Sequence, residues 1–277
     1  MTEPDPLYIA ARRILLDVLV ALKPHLGAVV VVGAHAIYLR TGDAGLAIAP
    51  FTTDADLALQ PQILADRPEL ERLLRDAGFE REDRNKPGAW VAKTTIGGKE
   101  VDVPVDLMVP TAAAPGGGRR AVDLPGHDRM ATRRTTGLEG CLVDNNIEVI
   151  RALDPDDHRV IQVRVAGPSA LIIAKLHKLH DRQDDEHRLA DKDAGDVFRL
   201  MQSTDAGAFI ARTRQLLNDP LCGASTRGAL GFLNELFGAR ARPGVVMAVR
   251  AMDPAVLPAQ VEGVCAAFVR SVRAAAL

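Results

Sequence analysis

Val29-Val30-Val31-Val32-Gly33-Ala34-His35, followed by Thr53-Asp54-Ala55-Asp56-Leu57, is the stretch whose reading decides the fold. Ala28 to Val32 is a short β-branched run closed by Gly33, so it reads as a buried central strand. Ala34 to Arg40 follows as a short helix, and Gly42 to Pro50 as a loop. Thr53 to Leu59 alternates polar and apolar residues, the period of a strand with one buried face. Residues i and i+2 of a strand project from the same face, so Asp54 and Asp56 present two carboxylates side by side. Carboxylates that close repel, and one would hold a proton unless a cation sat between them. Hard oxygen donors of this kind suit Mg2+ or Mn2+.

A third acid completes such a site if a neighbouring strand carries one. Trp90 to Ile96 and Lys99 to Met108 flank Gly97-Gly98, a dipeptide suited to a tight primed turn, and read as a hairpin. Asp106 lies near the end of its second strand, where a ligand can approach; Asp102 shares its face and is the fallback. Neighbouring strands stand about 4.8 Å apart, within reach of the first pair if the strands are adjacent. The expected metal ligands are therefore Asp54, Asp56 and Asp106.

Outward from this segment, Leu7 to Lys23 has helical apolar spacing and stops at Pro24, and Glu69 to Ala77 reads as a helix closed by Gly78. Pro110 to Gly140 has little periodicity and much Gly, Pro and Arg, so it reads as a long loop. Its Arg119, Arg120, Arg129, Arg133 and Arg134 form a basic cluster without interleaved aromatics, suited to phosphate contact rather than base stacking. Glu148 to Val165 supplies one or two more strands. After Gly167-Pro168 the chain turns helical: Ser169 to Asp181, Asp191 to Gln202, Gly207 to Leu217, Thr226 to Phe237 and Pro254 to Ala275. These elements predict an α+β domain with a mixed sheet over residues 1–166 and a mainly helical domain over 167–277.

The 277 residues are 47% hydrophobic and 25% charged, the balance of an ordinary globular protein, which excludes long disorder. No apolar run approaches the roughly 18 residues of a membrane span. Met1 to Pro6 is acidic and polar, unlike a secretory signal, so a cytoplasmic location without membrane contact is expected. Cys141, Cys222 and Cys265 are odd in number and lack CxxC spacing, which predicts buried fillers rather than disulfides or a zinc site. A net charge of −2 advertises no nucleic-acid partner for the whole molecule, so any such contact must be local.

The order Gly-x-x-Ala, then Arg40-Thr41, then Thr53-x-Asp54-x-Asp56 resembles the AbiEii-like nucleotidyltransferases, the toxins of bacterial toxin–antitoxin pairs that include the MenT group. Ser169-Ala170-Leu171-Ile172-Ile173-Ala174-Lys175-Leu176 is similar to their lysine-bearing helix, and Lys192-Asp193-Ala194-Gly195-Asp196 to their final acidic motif. The ordered matches run from about Val29 to Leu200. The resemblance implies a polymerase-β-like nucleotidyltransferase fold followed by a helical lobe, with the site between them. It implies transfer of a nucleoside monophosphate from an NTP to an acceptor hydroxyl, the 3′ end of transfer RNA foremost, and a cognate antitoxin as partner. By the same resemblance Asp54 and Asp56 bind the metal, Lys175 contacts the NTP phosphates, and Asp193 or Asp196 completes the pocket. Gly33, His35, Arg40 and Thr53 are expected at the nucleotide. Ala34-His35 departs from the family, where glycine or serine and a small hydroxyl residue follow the first glycine.

Three other readings accompany this one. A small-molecule nucleotidyltransferase, of the kind that modifies antibiotics, shares the strand motif and needs no basic loop. His177, His180 and Asp181 form an HxxHD pattern that suggests zinc and a phosphohydrolase. A non-catalytic toxin or binding module could keep the fold alone. Lys175, Lys178 and Arg182 also fit a solvated helix face, and Asp193 and Asp196 a helix N-terminal charge.

Overall fold

The computed structural model describes residues 4–42, 51–116, 120–182 and 191–277. Its sheet is built around Val29–Val32 (β1), whose four side chains are all buried, as a strand covered on both faces requires. Helix α1 (Pro6–Ala21) starts at Asp5, whose carboxylate accepts the Leu7 N–H at 2.7 Å. It packs on β2 (Ala55–Leu59), β4 (Ala89–Ile96) and β5 (Lys99–Pro110). Between β1 and β2 runs α2 (Gly33–Thr41); α3 (Leu70–Asp76) and β3 (Glu80–Arg81) lead to the hairpin. Gly97 and Gly98 both take positive φ, 56° and 78°, as a tight primed turn demands, and Ile96 pairs with Lys99 across them.

Among the described residues the sheet has eight strands, ordered β3-β4-β5-β2-β1-β8-β7, with β6 (Arg133–Thr135) paired to β5. Strands β7 (Asn145–Arg151) and β8 (Val160–Ala166) close its far side as an antiparallel pair. β1 runs antiparallel to β2 and parallel to β8, and β2 runs parallel to β5. The mixed sheet with its many helices is the expected α+β architecture. Pro110 to Gly140 is not structureless throughout, because β6 lies inside it. Three residues carry no readable period, and β6 owes its existence to the β5 edge.

The helical part comprises α4 (Pro168–His180), α5 (Asp191–Ser203), α6 (Ala206–Asn218), α7 (Gly223–Phe237), α8 (Pro243–Met252) and α9 (Pro258–Ala274). α8 was not foreseen, although Val245, Ala248 and Met252 bury a helical stripe. α9 begins at Pro258, not Pro254, with proline at the first turn, where its missing N–H costs no helical bond. The chain divides into two compact units. One holds the described residues within Met1–Ala36, Ala49–Thr135 and Asn145–Ala166, the other those within Ile37–Ile48, Thr136–Asp144 and Gly167–Leu277. The sequence placed one boundary near residue 166; the chain also crosses on two short segments before it. Cys141, Cys222 and Cys265 are all free and buried. Among the described residues no helix is long and apolar enough to cross a membrane.

Candidate active site

β2 and β5 pair in register, so Asp56 stands directly beside Asp106, with Val32 of β1 on its other side. Registered partners project from the same face, which sets these two half-buried acids together at the C-terminal end of β1. Asp102 is exposed, faces Lys93 on β4, and lies outside the β2 pairing. The turn from β1 into α2 is shaped to the Asp56 side chain. Gly33 takes φ +65°, and a Cβ there would stand 2.7 Å from Asp56 Cγ and 2.8 Å from its Cβ. Only glycine allows both this backbone and this approach. Asp54 immediately precedes β2, and its Oδ1 accepts a hydrogen bond from the fully buried Thr52 hydroxyl. Thr53, expected at the nucleotide, is exposed. Thr52 is the threonine that reaches a site acid, and alternation alone could not say which of two neighbouring hydroxyls would.

Asp106 has a partner the sequence reading did not supply. Arg133, on β6, donates from Nη2 to Asp106 Oδ2 at 2.6 Å. Among the described residues no group of three or more His, Cys, Asp and Glu side chains is gathered closely enough to hold a metal ion. The donor chemistry nevertheless fits a hard divalent cation: Asp56 and Asp106 share a register position, with Asp56 seated over a glycine at a helix start, and Asp54, which accepts from Thr52, lies two residues before Asp56 in the chain.

His35 follows in the first turn of α2 and is 1% exposed. Its ring stacks on Tyr8 at 5.5 Å, and its Nδ1 accepts from Arg12 Nε at 3.3 Å. Arg12 is itself buried and donates also to the Tyr8 hydroxyl at 3.0 Å and the Arg151 carbonyl at 3.2 Å. Burial lowers the Arg12 pKa, while Tyr8 opposes the shift. The expected nucleotide contact of His35 is therefore replaced by a structural one, since a ring so covered presents no surface to a ligand. Arg40 is half-buried at the far end of α2 from Gly33.

Lys175, Asp193 and Asp196 belong to the second unit and make a cluster there. Lys175 Nζ meets Asp193 Oδ1 at 2.6 Å and Asp196 Oδ2 at 2.7 Å, with all three residues buried. Lys178 and Arg182 also reach Asp193, at 3.2 and 2.7 Å. Burial opposes the Lys175 ammonium, yet Asp196 and Asp193 outweigh it and hold its pKa well above the ordinary lysine value. Burial likewise pushes Asp193 up, and Lys175, Lys178 and Arg182 outweigh it, holding its carboxyl well below the usual range. Neither a solvated lysine face nor a bare helix-terminal charge describes this arrangement.

The remaining candidates take other roles. Arg134 donates to the carbonyls of Thr111, Pro115 and Gly116, while Arg120 and Arg129 are exposed; Arg119 lies outside the described residues. His177 Nε2 contacts the Ser225 carbonyl at 2.8 Å, and His180 stacks on Phe232 at 3.7 Å, so the HxxHD pattern packs α4 on α7.

A family model described as "Nucleotidyltransferase" matches residues 15–216, most of the chain. No curated protein matches it. Among solved structures, the chain is similar to the "antigenic nucleotidyltransferase-like protein from Paracoccidioides brasiliensis", at 17% identity and a TM-score of 0.48, over 89% of this chain and 93% of that one.

Proposed function

This chain belongs to a nucleotidyltransferase family, and from that premise we propose that it moves a nucleoside monophosphate from an NTP to an acceptor hydroxyl with a divalent cation held by Asp54, Asp56 and Asp106. The observation that carries this reading is the pairing of Asp56 with Asp106 in register, with the Asp56 carboxylate seated over Gly33. When bound, Mg2+ or Mn2+ supplies Lewis acidity toward the α-phosphate and favours deprotonation of the attacking hydroxyl. The protein's own part is to hold and orient. Thr52 keeps Asp54 in place, and Gly33 leaves the Asp56 carboxylate room at the start of α2. The acceptor oxygen attacks the α-phosphorus as the bond to the α–β bridging oxygen breaks. Pyrophosphate leaves, and the hydroxyl proton passes to a carboxylate of this set. Lys175 is the proposed phosphate contact, and the support for it is the likeness of its helix, Ser169 to Leu176, to the lysine-bearing helix of the AbiEii-like proteins.

For the acceptor we propose the 3′ hydroxyl of an RNA, transfer RNA foremost, in a toxin held by an antitoxin protein; the support is the motif order shared with AbiEii-like proteins. One observation favours a small-molecule acceptor instead. Arg133 and Arg134, two of the arginines suited to an RNA backbone, are engaged within the protein. Incubating the purified protein with each α-labelled NTP, Mg2+, total RNA and a pool of small hydroxyl compounds separates the two. Label at RNA 3′ ends supports the first acceptor, label only on a small compound the second, and no transfer from any NTP contradicts both.

A further inference from the structure

Arg133 is placed by a scaffold of its own. β6 pairs with β5 so that Met108 and Arg133 are partners, which puts Arg133 on the face that also carries Asp106, two residues earlier. The approach of β6 depends on Gly88. This residue has φ +72°, its N–H donates to the Met130 carbonyl at 3.0 Å, and its own carbonyl accepts from Leu107 N at 2.9 Å. A Cβ at Gly88 would stand 2.5 Å from Arg133 N and 3.0 Å from Arg133 Cβ. Trp90 Nε1 holds the preceding turn through the Ala131 carbonyl at 3.0 Å. The guanidinium so delivered is only partly satisfied. One nitrogen binds Asp106 Oδ2, and Nε is buried without a hydrogen-bond partner. A buried donor in that condition is costly and calls for an acceptor.

We infer that Arg133 is a positioning residue that competes with the divalent cation for Asp106: it neutralises the carboxylate in the nucleotide-free protein and turns to a phosphate oxygen of the NTP when cation and nucleotide arrive together. The inference rests on the proposed metal-dependent transfer. Its physical basis is that Asp106 cannot give its full charge to two cations at once, while a guanidinium fork with an unused donor suits phosphate. Binding of cation and nucleotide thereby becomes cooperative, because each removes an obstacle to the other.

Two affinities should then change in opposite directions, which loss of structure could not produce. In Arg133→Gln, Mn2+ binding to the nucleotide-free protein, read by electron paramagnetic resonance, should tighten roughly fivefold, the upper range for a partly exposed charge pair. With Mn2+ saturating, binding of ATP, CTP, GTP or UTP should weaken by a similar factor. Arg133→Lys, which keeps the charge but loses the fork, should fall between, and serves alone if the glutamine variant does not fold. In an Asp106→Asn background, Arg133→Gln should leave Mn2+ affinity unchanged. Unchanged or weaker Mn2+ binding in folded Arg133 variants, with wild-type binding lost in Asp54→Ala, would overturn this inference and leave the metal reading standing. If wild type and all variants fail to bind Mn2+, the metal reading falls and takes the inference with it.

Discussion

At the residue scale the site depends on one missing side chain. Gly33 combines a left-handed backbone with a contact that no Cβ could share, because the Asp56 carboxyl group occupies that space. Gly33→Ala should therefore displace Asp56 and lower the transfer rate by about two orders of magnitude, the scale on which small misplacements in a site act. Its backbone strain should cost about 1–3 kcal/mol, visible as a lower Tm. Wild-type turnover in Gly33→Ala would mean that Asp56 need not stay where Gly33 lets it stand. The strand that carries Asp56 was legible from alternation, although Asp54 falls just before its first residue, and the strand of Asp106 does lie beside it. Thr52 was not, because alternation does not say which of two neighbouring hydroxyls reaches Asp54, and Arg133 was not, because a hydrogen bond from one strand to another leaves no periodic trace. His35 was misread for a related reason: a histidine beside a glycine turn looks functional until Arg12 and Tyr8, more than twenty residues upstream, are seen against it.

Between α4 and α5 the interaction that matters is a buried charge cluster, and this alters what mutations there report. Lys175→Ala would take the cation from buried Asp196 and leave Asp193 to Lys178 and Arg182, so it should cost about 3–5 kcal/mol of stability, the range for breaking a buried pair. Lys178, partly exposed, should cost within about 1 kcal/mol on the same substitution. Urea unfolding of the two variants checks this, and equal midpoints would contradict the cluster. The pH dependence follows from signs. Asp193 is held low, so its contribution is complete above the ordinary aspartate value of about 3.9 and is lost as pH falls below it. Lys175 is held high, so its contribution is complete below the ordinary lysine value of about 10.4 and is lost only as pH rises through the raised value. Between those limits this cluster should add no slope, and Asp193→Asn should lose part of the wild-type decline in acid. An unaltered acid limb in that variant would place the titrating group elsewhere. Helical spacing identified α4 and α5 and set Lys175, Lys178 and Arg182 on one stripe, yet could not show that a second helix supplies their counterions. β6 and α8 escaped the reading because one is too short to have a period and the other opens with Pro243-Gly244, residues that also mark turns.

At the scale of the whole molecule, the mixed sheet followed by helices was legible because hydrophobic period changes from strand to helix near Gly167-Pro168. The segments 37–48 and 136–144 were less so, since their assignment to the second unit rests on contacts distant in sequence. Burial of all three cysteines also followed from their spacing and type. What composition could not convey is where charge is neutralised internally: a cluster of arginines reads as a docking surface until Arg133 is found on Asp106 and Arg134 on three carbonyls. The central claim is that Asp56 and the acids proposed with it serve catalysis and not stability, and the most direct measurement is transfer from α-labelled NTP by Asp56→Asn in millimolar Mg2+, with Tm recorded on the same preparation. The account predicts that transfer falls by at least about a hundredfold, the scale of lost charge stabilisation in a site, while Tm stays near the wild-type value. Wild-type transfer by Asp56→Asn, with its fold intact, would contradict it.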